Sequence, residues 1–297
     1  MYDLIIVGAG PAGLTAAIYA ARANKKVLIF ESNIHGGQII YAKRIDNYPG
    51  LPGIAGYEFA NTLYKQVTNL GVTIKYETVI KIKEDKTVVT KNDKYNAKAI
   101  ILATGASKKK LKLENEEKFI GKGISYCATC DGNFYKGKNV AVVGTGSSAL
   151  EDAIYLSDIA SNVYVINSGD TFENTNLFNI LISKKNIKFC FNSNVVALDG
   201  NNILESIDIK NKDEEINKLD INALFIAIGS SPQNDIFKDV INIDEKGYII
   251  SKDGVHTNVN GIYVAGDARK KELRQLVTAV SDGAVAAMTA IKEMEDM

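Results

Sequence analysis

Two cysteines stand three apart in Cys127-Ala128-Thr129-Cys130, followed by Asp131 and Gly132. Such a pair can act as a thiol–disulfide couple or as half of a metal site. In a couple the thiolate is the nucleophile, and a helix N-terminus or a nearby cation lowers its pKa. Exchange with a partner disulfide passes through a mixed disulfide, so one sulfur must reach outward while the other resolves it. A structural zinc site needs four ligands, usually two such pairs. Only one more cysteine exists, Cys190 between Phe189 and Phe191, and the two histidines, His35 and His256, lie far apart. No metal is expected, and Cys190 reads as a core residue.

The second chemical pattern is a glycine-rich run near the N-terminus. Asp3–Val7 reads as a buried strand, Gly8-Ala9-Gly10-Pro11-Ala12-Gly13 as a turn, and Leu14–Ala23 as an alanine-rich helix. Val27–Phe30 is the next strand, ending in Glu31. Strand, G-x-G-x-x-G, helix, strand and acid together form a dinucleotide fingerprint. Gly8 makes the tight turn, Gly10 lets the backbone approach a pyrophosphate, and Gly13 lets helix and strand pack closely. The helix N-terminus offers unpaired N–H groups and a positive dipole end to phosphates. Glu31 is placed to accept ribose hydroxyls, and its charge would repel a 2′-phosphate.

These elements recur. Val140–Val143, Gly144-Thr145-Gly146-Ser147-Ser148-Ala149, a helix to about Asp158 and Val163–Ile166 repeat the pattern 136 residues on. Both halves close alike, Ala99–Ser107 with Thr104-Gly105 matching Ala223–Ser231. A further strand, Gly261–Ala265, leads to Gly266-Asp267 and a helix from about Gln275 to Glu293. The second repeat has already closed by then, so this strand must return to the first. The expected fold is α/β, with two Rossmann-like three-layer dinucleotide-binding domains, the second inserted in the first. The boundaries read as 1–112 with 242–297 for the first domain and 113–241 for the insert. Polar stretches at 110–121 and 230–242 suit the two joints.

Composition agrees. The chain has 297 residues, 46% hydrophobic and 24% charged, as in an ordinary globular protein. Its 35 basic and 35 acidic residues cancel, which excludes nucleic-acid binding by bulk charge. No apolar run reaches the ~18 residues that a membrane span needs. The N-terminus lacks the basic start and cleavage site of a signal peptide, so a cytoplasmic location is expected.

Paired fingerprints, Ala103-Thr104-Gly105 and the C-terminal Gly266-Asp267 resemble the flavin disulfide reductase superfamily. Cys127–Gly132, just before the second fingerprint, resembles the low-molecular-weight thioredoxin reductases. Gly36-Gly37-Gln38, Asn47-Tyr48-Pro49-Gly50, Gly123–Tyr126, Arg274-Gln275 and Asp282-Gly283-Ala284 match in the same order along the chain. The resemblance implies FAD in the first domain, held by Gly8, Gly10, Pro11, Ala12, Gly13, Glu31, Gly37, Gln38, Asn47, Thr104, Gly105, Gly266, Asp267, Arg274 and Gln275. It implies Cys127 as the thiol that attacks thioredoxin, Cys130 as the flavin-side thiol and Asp131 as proton donor to the leaving thiolate. It also implies a homodimer and an inserted domain that swings.

One stretch departs from the family. NADPH-dependent members follow the second domain's second strand with a His-Arg-Arg type motif that holds the 2′-phosphate. Here the stretch is Asn167-Ser168-Gly169-Asp170-Thr171-Phe172-Glu173, and no Lys or Arg occurs before Lys184. Nor is there an acid at Asn167, where an NADH enzyme would carry one. NADPH is therefore not expected as donor. The pattern is similar to the ferredoxin-dependent flavin thioredoxin reductases, which makes reduced ferredoxin the expected donor. Lys108-Lys109-Lys110 with Lys112 is a candidate surface for that acidic partner, or else a solvated linker. Alternatives are an NAD(P)H-dependent reductase with an unusual loop, an oxygen-linked dithiol oxidase, and a redox sensor.

Overall fold

The computed structural model describes residues 1–296 and divides into two compact units. One is Met1–Ser107 with the stretch from Ser231 to the C-terminus; the other is Lys108–Ser230. The first unit begins β1 (Tyr2–Val7), α1 (Pro11–Arg22), β2 (Val27–Phe30), α2 (Gly56–Asn69), β3 (Thr73–Lys75), β4 (Val79–Ile82), β5 (Thr87–Thr90) and β6 (Lys94–Leu102). The chain leaves it through β7 (Ala106–Lys108). The second unit holds α3 (Glu116–Phe119), β8 (Ile124–Ser125), α4 (Ala128–Asp131), β9 (Asn139–Val143), α5 (Ser147–Ser157), β10 (Asn162–Ile166) and α6 (Thr175–Ile182). It continues with β11 (Ile187–Cys190), β12 (Asn194–Asp199), β13 (Ser206–Lys210), β14 (Ile216–Asp220) and β15 (Ala223–Ile226). After β16 (Ser230–Pro232) the chain completes the first unit with β17 (Ile262–Val264) and α7 (Leu276–Glu295).

Each unit is built on a parallel sheet. In the first, β3-β2-β1-β6-β17 run parallel, and β4-β5 add an antiparallel wing beside β6. In the second the order is β11-β10-β9-β15-β8, all parallel. A β12-β13-β14 meander, which the sequence reading did not assign, completes that unit. β1 packs apolar residues on both faces. Leu4 and Ile6 join the core shared with α1 and α7, and Ile5 and Val7 join the opposite one. That continuous apolar run is the mark of a parallel strand covered on both sides.

The return to the first domain comes earlier than the sequence reading placed it. The division falls at 107/108 and 230/231, not at 112/113 and 241/242. Phe237 and Ile241 are fully buried in the first unit's core, with Leu28, Ile100 and Ile249. The polar residues around them had suggested a linker. α1 and α7 pack closely because Gly283 presents no side chain: a Cβ there would collide with the Ala12 carbonyl.

Candidate functional site

In the first unit the fingerprint builds a bare helix N-terminus. Gly8 has φ +108°, and a Cβ there would strike the Ala103 carbonyl. A Cβ at Gly13 would strike the Gly8 carbonyl, so both positions need glycine for close approach. Gly10, by contrast, faces open space. It caps α1 without a side-chain hydrogen bond, Pro11 opens the helix, and the first turn holds no acid. Ala12 is buried against the core. The orphan N–H groups and positive dipole end are thus left for an anion.

Around this terminus stand the other expected residues. Glu31 accepts the Ala9 N–H through Oε2 at 2.9 Å and the Asn33 N–H through Oε1 at 2.9 Å, which aims its carboxylate beside the glycine turn. The Gly36 N–H donates to the Ala9 carbonyl at 2.7 Å. Gly37 then lies so near Gly10 that a Cβ would come within 3.3 Å of its Cα. Gln38 is exposed on the same turn. The Asn47 amide donates to Gln275 Oε1 at 3.0 Å, while Gln275 caps α7 in a reciprocal box with Thr278. Thr104 donates to Asn234 Oδ1 at 2.8 Å, and Gly105 follows it. Arg274 stacks on the Tyr248 ring at 4.0 Å, and its buried Nε has no hydrogen-bond partner. Open space at Gly10, an uncapped helix start and a buried guanidinium N–H without an acceptor all fit the pyrophosphate of a dinucleotide.

One supporting network escaped the sequence reading. Asp282 accepts the Gly266 N–H at 3.1 Å, two bonds from Arg269 at 2.9 Å, and one from Lys271 at 3.0 Å. Lys271 also stands 3.6 Å from Asp267. Burial alone would raise the Asp282 carboxyl, but the Arg269 and Lys271 bonds outweigh it and hold it below the usual range. The turn at Gly266-Asp267 is thus pinned by Asp282, 16 residues beyond Gly266, which Arg269 and Lys271 hold in place. Asp282-Gly283 was legible as a motif, but its partners follow no local spacing.

In the second unit Cys127 and Cys130 are joined in a disulfide, with Cα atoms 5.3 Å apart. Cys127 sits at the N-cap of α4, and both cysteines are half-buried. Cys127 Sγ lies 3.4 Å from Thr129 Oγ1. The Ser125 hydroxyl donates to Asp131 Oδ2 at 2.6 Å and accepts the Cys127 N–H at 3.1 Å. One buried hydroxyl therefore joins the acid to the first cysteine. Burial pushes the Asp131 carboxyl up, partly opposed by the Ser125 bond. Asp152 on α5 is a second acid that the sequence did not single out. Burial pushes it up to about 6, against Lys108 and the Ala128 N–H. Phe134 is 45% exposed just beyond Gly132. Cys190, on β11, packs among the unit's apolar residues, and burial raises its thiol.

The second fingerprint keeps its shape. Gly146 caps α5 without a side chain and faces open space, and Ala149 is buried where the third glycine would stand. The strand-end residue differs from its counterpart. Asn167 is fully buried, and its Oδ1 accepts the Gly169 N–H at 2.8 Å while its Nδ2 donates to the Thr171 carbonyl at 2.9 Å. Asp170 and Glu173 are exposed. The lysine cluster is not a bare patch: Lys110 pairs with Glu117 at 2.7 Å and Lys108 acts on Asp152.

Comparison with known proteins follows the same geometry. The family model described as pyridine nucleotide-disulphide oxidoreductase matches residues 2–283. Thioredoxin reductase of Mycoplasma genitalium is 40% identical over 303 residues, which take in 100% of this chain and 95% of that protein. A thioredoxin reductase structure from Streptococcus pyogenes superposes with TM-score 0.96 at 38% identity, over 100% of this chain and 99% of that one. A ferredoxin-flavin thioredoxin reductase from Clostridium acetobutylicum is also similar, at 31% identity and TM-score 0.54 over 100% and 99%. The matched stretch runs through the second fingerprint, in a family named for pyridine nucleotides. This counts against the expectation that NADPH is not the donor. Missing cations at 167–173 bear on how a 2′-phosphate is gripped, but they do not set the chain outside that family.

Proposed function

This chain belongs to the pyridine nucleotide-disulphide oxidoreductase family, on its low-molecular-weight thioredoxin reductase branch, and from that premise we propose that it is an FAD-dependent thioredoxin reductase. The observation that carries the reading is the Cys127–Cys130 disulfide at a helix N-cap, with the Ser125 hydroxyl bridging the Cys127 N–H and the half-buried Asp131. FAD, when bound at the first unit, supplies reducing equivalents in pairs. Two electrons and two protons open the disulfide to a dithiol. Cys127, at the uncapped start of α4, is the attacking thiolate: it displaces one sulfur of the thioredoxin disulfide and forms a mixed disulfide. Asp131, whose carboxyl burial pushes up against the opposing Ser125 bond, is the proton donor to the departing thiolate. Cys130 then attacks the Cys127 sulfur, re-forms the internal disulfide and releases reduced thioredoxin. Exposed Phe134 offers the partner an apolar contact.

As electron source we favour a reduced pyridine nucleotide at the second fingerprint, supported by the family match and by the open space at Gly146. A second reading, electrons from a ferredoxin, is favoured by the cation-free loop at 167–173 and by the similarity to a ferredoxin-flavin relative. The chain is read as a cytoplasmic homodimer. Val277, Val285 and Met288 are exposed at 40–50% along α7, with Leu273 exposed just before it, and they offer a second copy an apolar face. Among the described residues no helix is long and apolar enough to cross a membrane.

An anaerobic titration of the flavin-loaded protein tests the donor. Bleaching of the flavin band by NADPH or NADH supports the first reading. Bleaching by reduced ferredoxin alone replaces it with the second. Reduction of thioredoxin by neither route would overturn the proposed function.

A further inference from the structure

Asn234 is fully buried three residues after the chain crosses back into the first unit. Its amide makes three side-chain hydrogen bonds. Oδ1 accepts the Thr104 hydroxyl at 2.8 Å, and Nδ2 donates to the Gly247 and Ala268 carbonyls, each at 2.9 Å. Two carbonyls can only accept, so the amide nitrogen must face them and the amide oxygen must face Thr104. The orientation is therefore set by chemistry, and the Thr104 hydroxyl has to spend its proton on Asn234. Its remaining lone pairs point away from that bond.

The groups that Asn234 joins are distant in sequence. Thr104 opens the turn that closes β6, and Ala268 ends the short turn carrying Gly266 and Asp267. Gly247, with φ +85°, is the sharp turn before Tyr248, on whose ring Arg274 rests. A fully buried, fully satisfied amide is costly to replace by an apolar group, because each partner is then left unpaired. It also admits one arrangement of the three turns, which an apolar contact would not impose.

We infer that Asn234 is a positioning residue for the dinucleotide site of the first unit, locking the Thr104-Gly105 turn and the Gly266–Ala268 turn into a single cradle. The inference rests on the FAD reading above. It assigns Asn234 no contact with the cofactor.

The test strips FAD from the protein and follows its return by flavin fluorescence, with far-ultraviolet circular dichroism as a check on folding. Asn234→Leu, which keeps the fork at Cγ but no polar atom, is expected to keep its secondary structure and to bind FAD about tenfold more weakly, the cost of one or two lost bonds. Asn234→Asp keeps the acceptor for Thr104 but turns a carboxylate toward two carbonyls. Its FAD affinity is expected to recover as the pH falls, since a protonated carboxyl regains a donor. Either variant folded at wild-type affinity, or an Asn234→Asp defect independent of pH, would overturn the inference alone. Failure of the wild-type chain to take up FAD would overturn the reading beneath it as well.

Discussion

The end of the second strand is where the two nucleotide-type units part. In the first unit Glu31 stands there half-exposed, its carboxylate aimed by the Ala9 and Asn33 N–H groups and still open to a ligand. In the second unit Asn167 stands there fully buried, and both ends of its amide are spent on its own loop. Both units keep a bare helix N-terminus with an open glycine, Gly10 and Gly146. The lesson is that the two fingerprints share the fold of their turn and differ in the strand-end side chain: Glu31 offers a ribose a carboxylate, and Asn167 does not. The carboxylate proposed to act in the second unit lies elsewhere, at Asp131 beside the disulfide.

Three substitutions break or sharpen that contrast. Asp131→Asn has the largest expected effect: thioredoxin reduction should slow by roughly a hundredfold, in the range for loss of a general acid. The pH profile gives its sign. The Asp131 carboxyl is raised and must be protonated to donate, so the wild-type rate should fall as the pH climbs through that raised value. The variant should lose this limb. A carboxyl with a raised folded pKa also contributes stability that is lost on the alkaline side. Asp131→Asn should therefore unfold at no lower temperature than wild type above neutrality. A variant that kept both the rate and the limb would move the acid to another group, with Asp152, which bonds the Ala128 N–H, the next candidate.

Next in size is Glu31→Ala. It removes a charged acceptor and should weaken FAD retention by about 1.5 kcal/mol, roughly tenfold. Equilibrium dialysis with flavin fluorescence measures it, and unchanged retention would erase the distinction between the two strand ends. Smallest is the matching change Asn167→Ala. It strands the Gly169 N–H and the Thr171 carbonyl, so chemical denaturation should show a loss of about 1–2 kcal/mol. FAD retention should not move. If Asn167→Ala instead released FAD, the division of labour between the units would be wrong.

The sequence carried much of this because its strongest signals are local. Gly8 to Gly13 and Cys127 to Asp131 announce themselves within six residues, and the two fingerprints repeat with the same punctuation. The alternation of strand and helix yields the parallel sheets for the same reason. What stayed hidden depends on contacts between distant stretches. Asn234 meets Thr104 across 130 residues, and Asp282 gathers Gly266, Arg269 and Lys271 from 16, 13 and 11 residues away. The domain boundary slipped because Phe237 and Ile241 sit among polar neighbours and only their burial shows where they belong. The missing cations after Asn167 were legible as letters, but the inward turn of its amide was not.

The central claim, that Cys127 exchanges and Cys130 resolves, has a direct test. Cys130→Ser should trap a covalent adduct when mixed with oxidised thioredoxin, joined through Cys127, with the mass of the two chains and released by a reducing agent. An adduct formed instead by Cys127→Ser, through Cys130, or no adduct from either variant, would contradict the account.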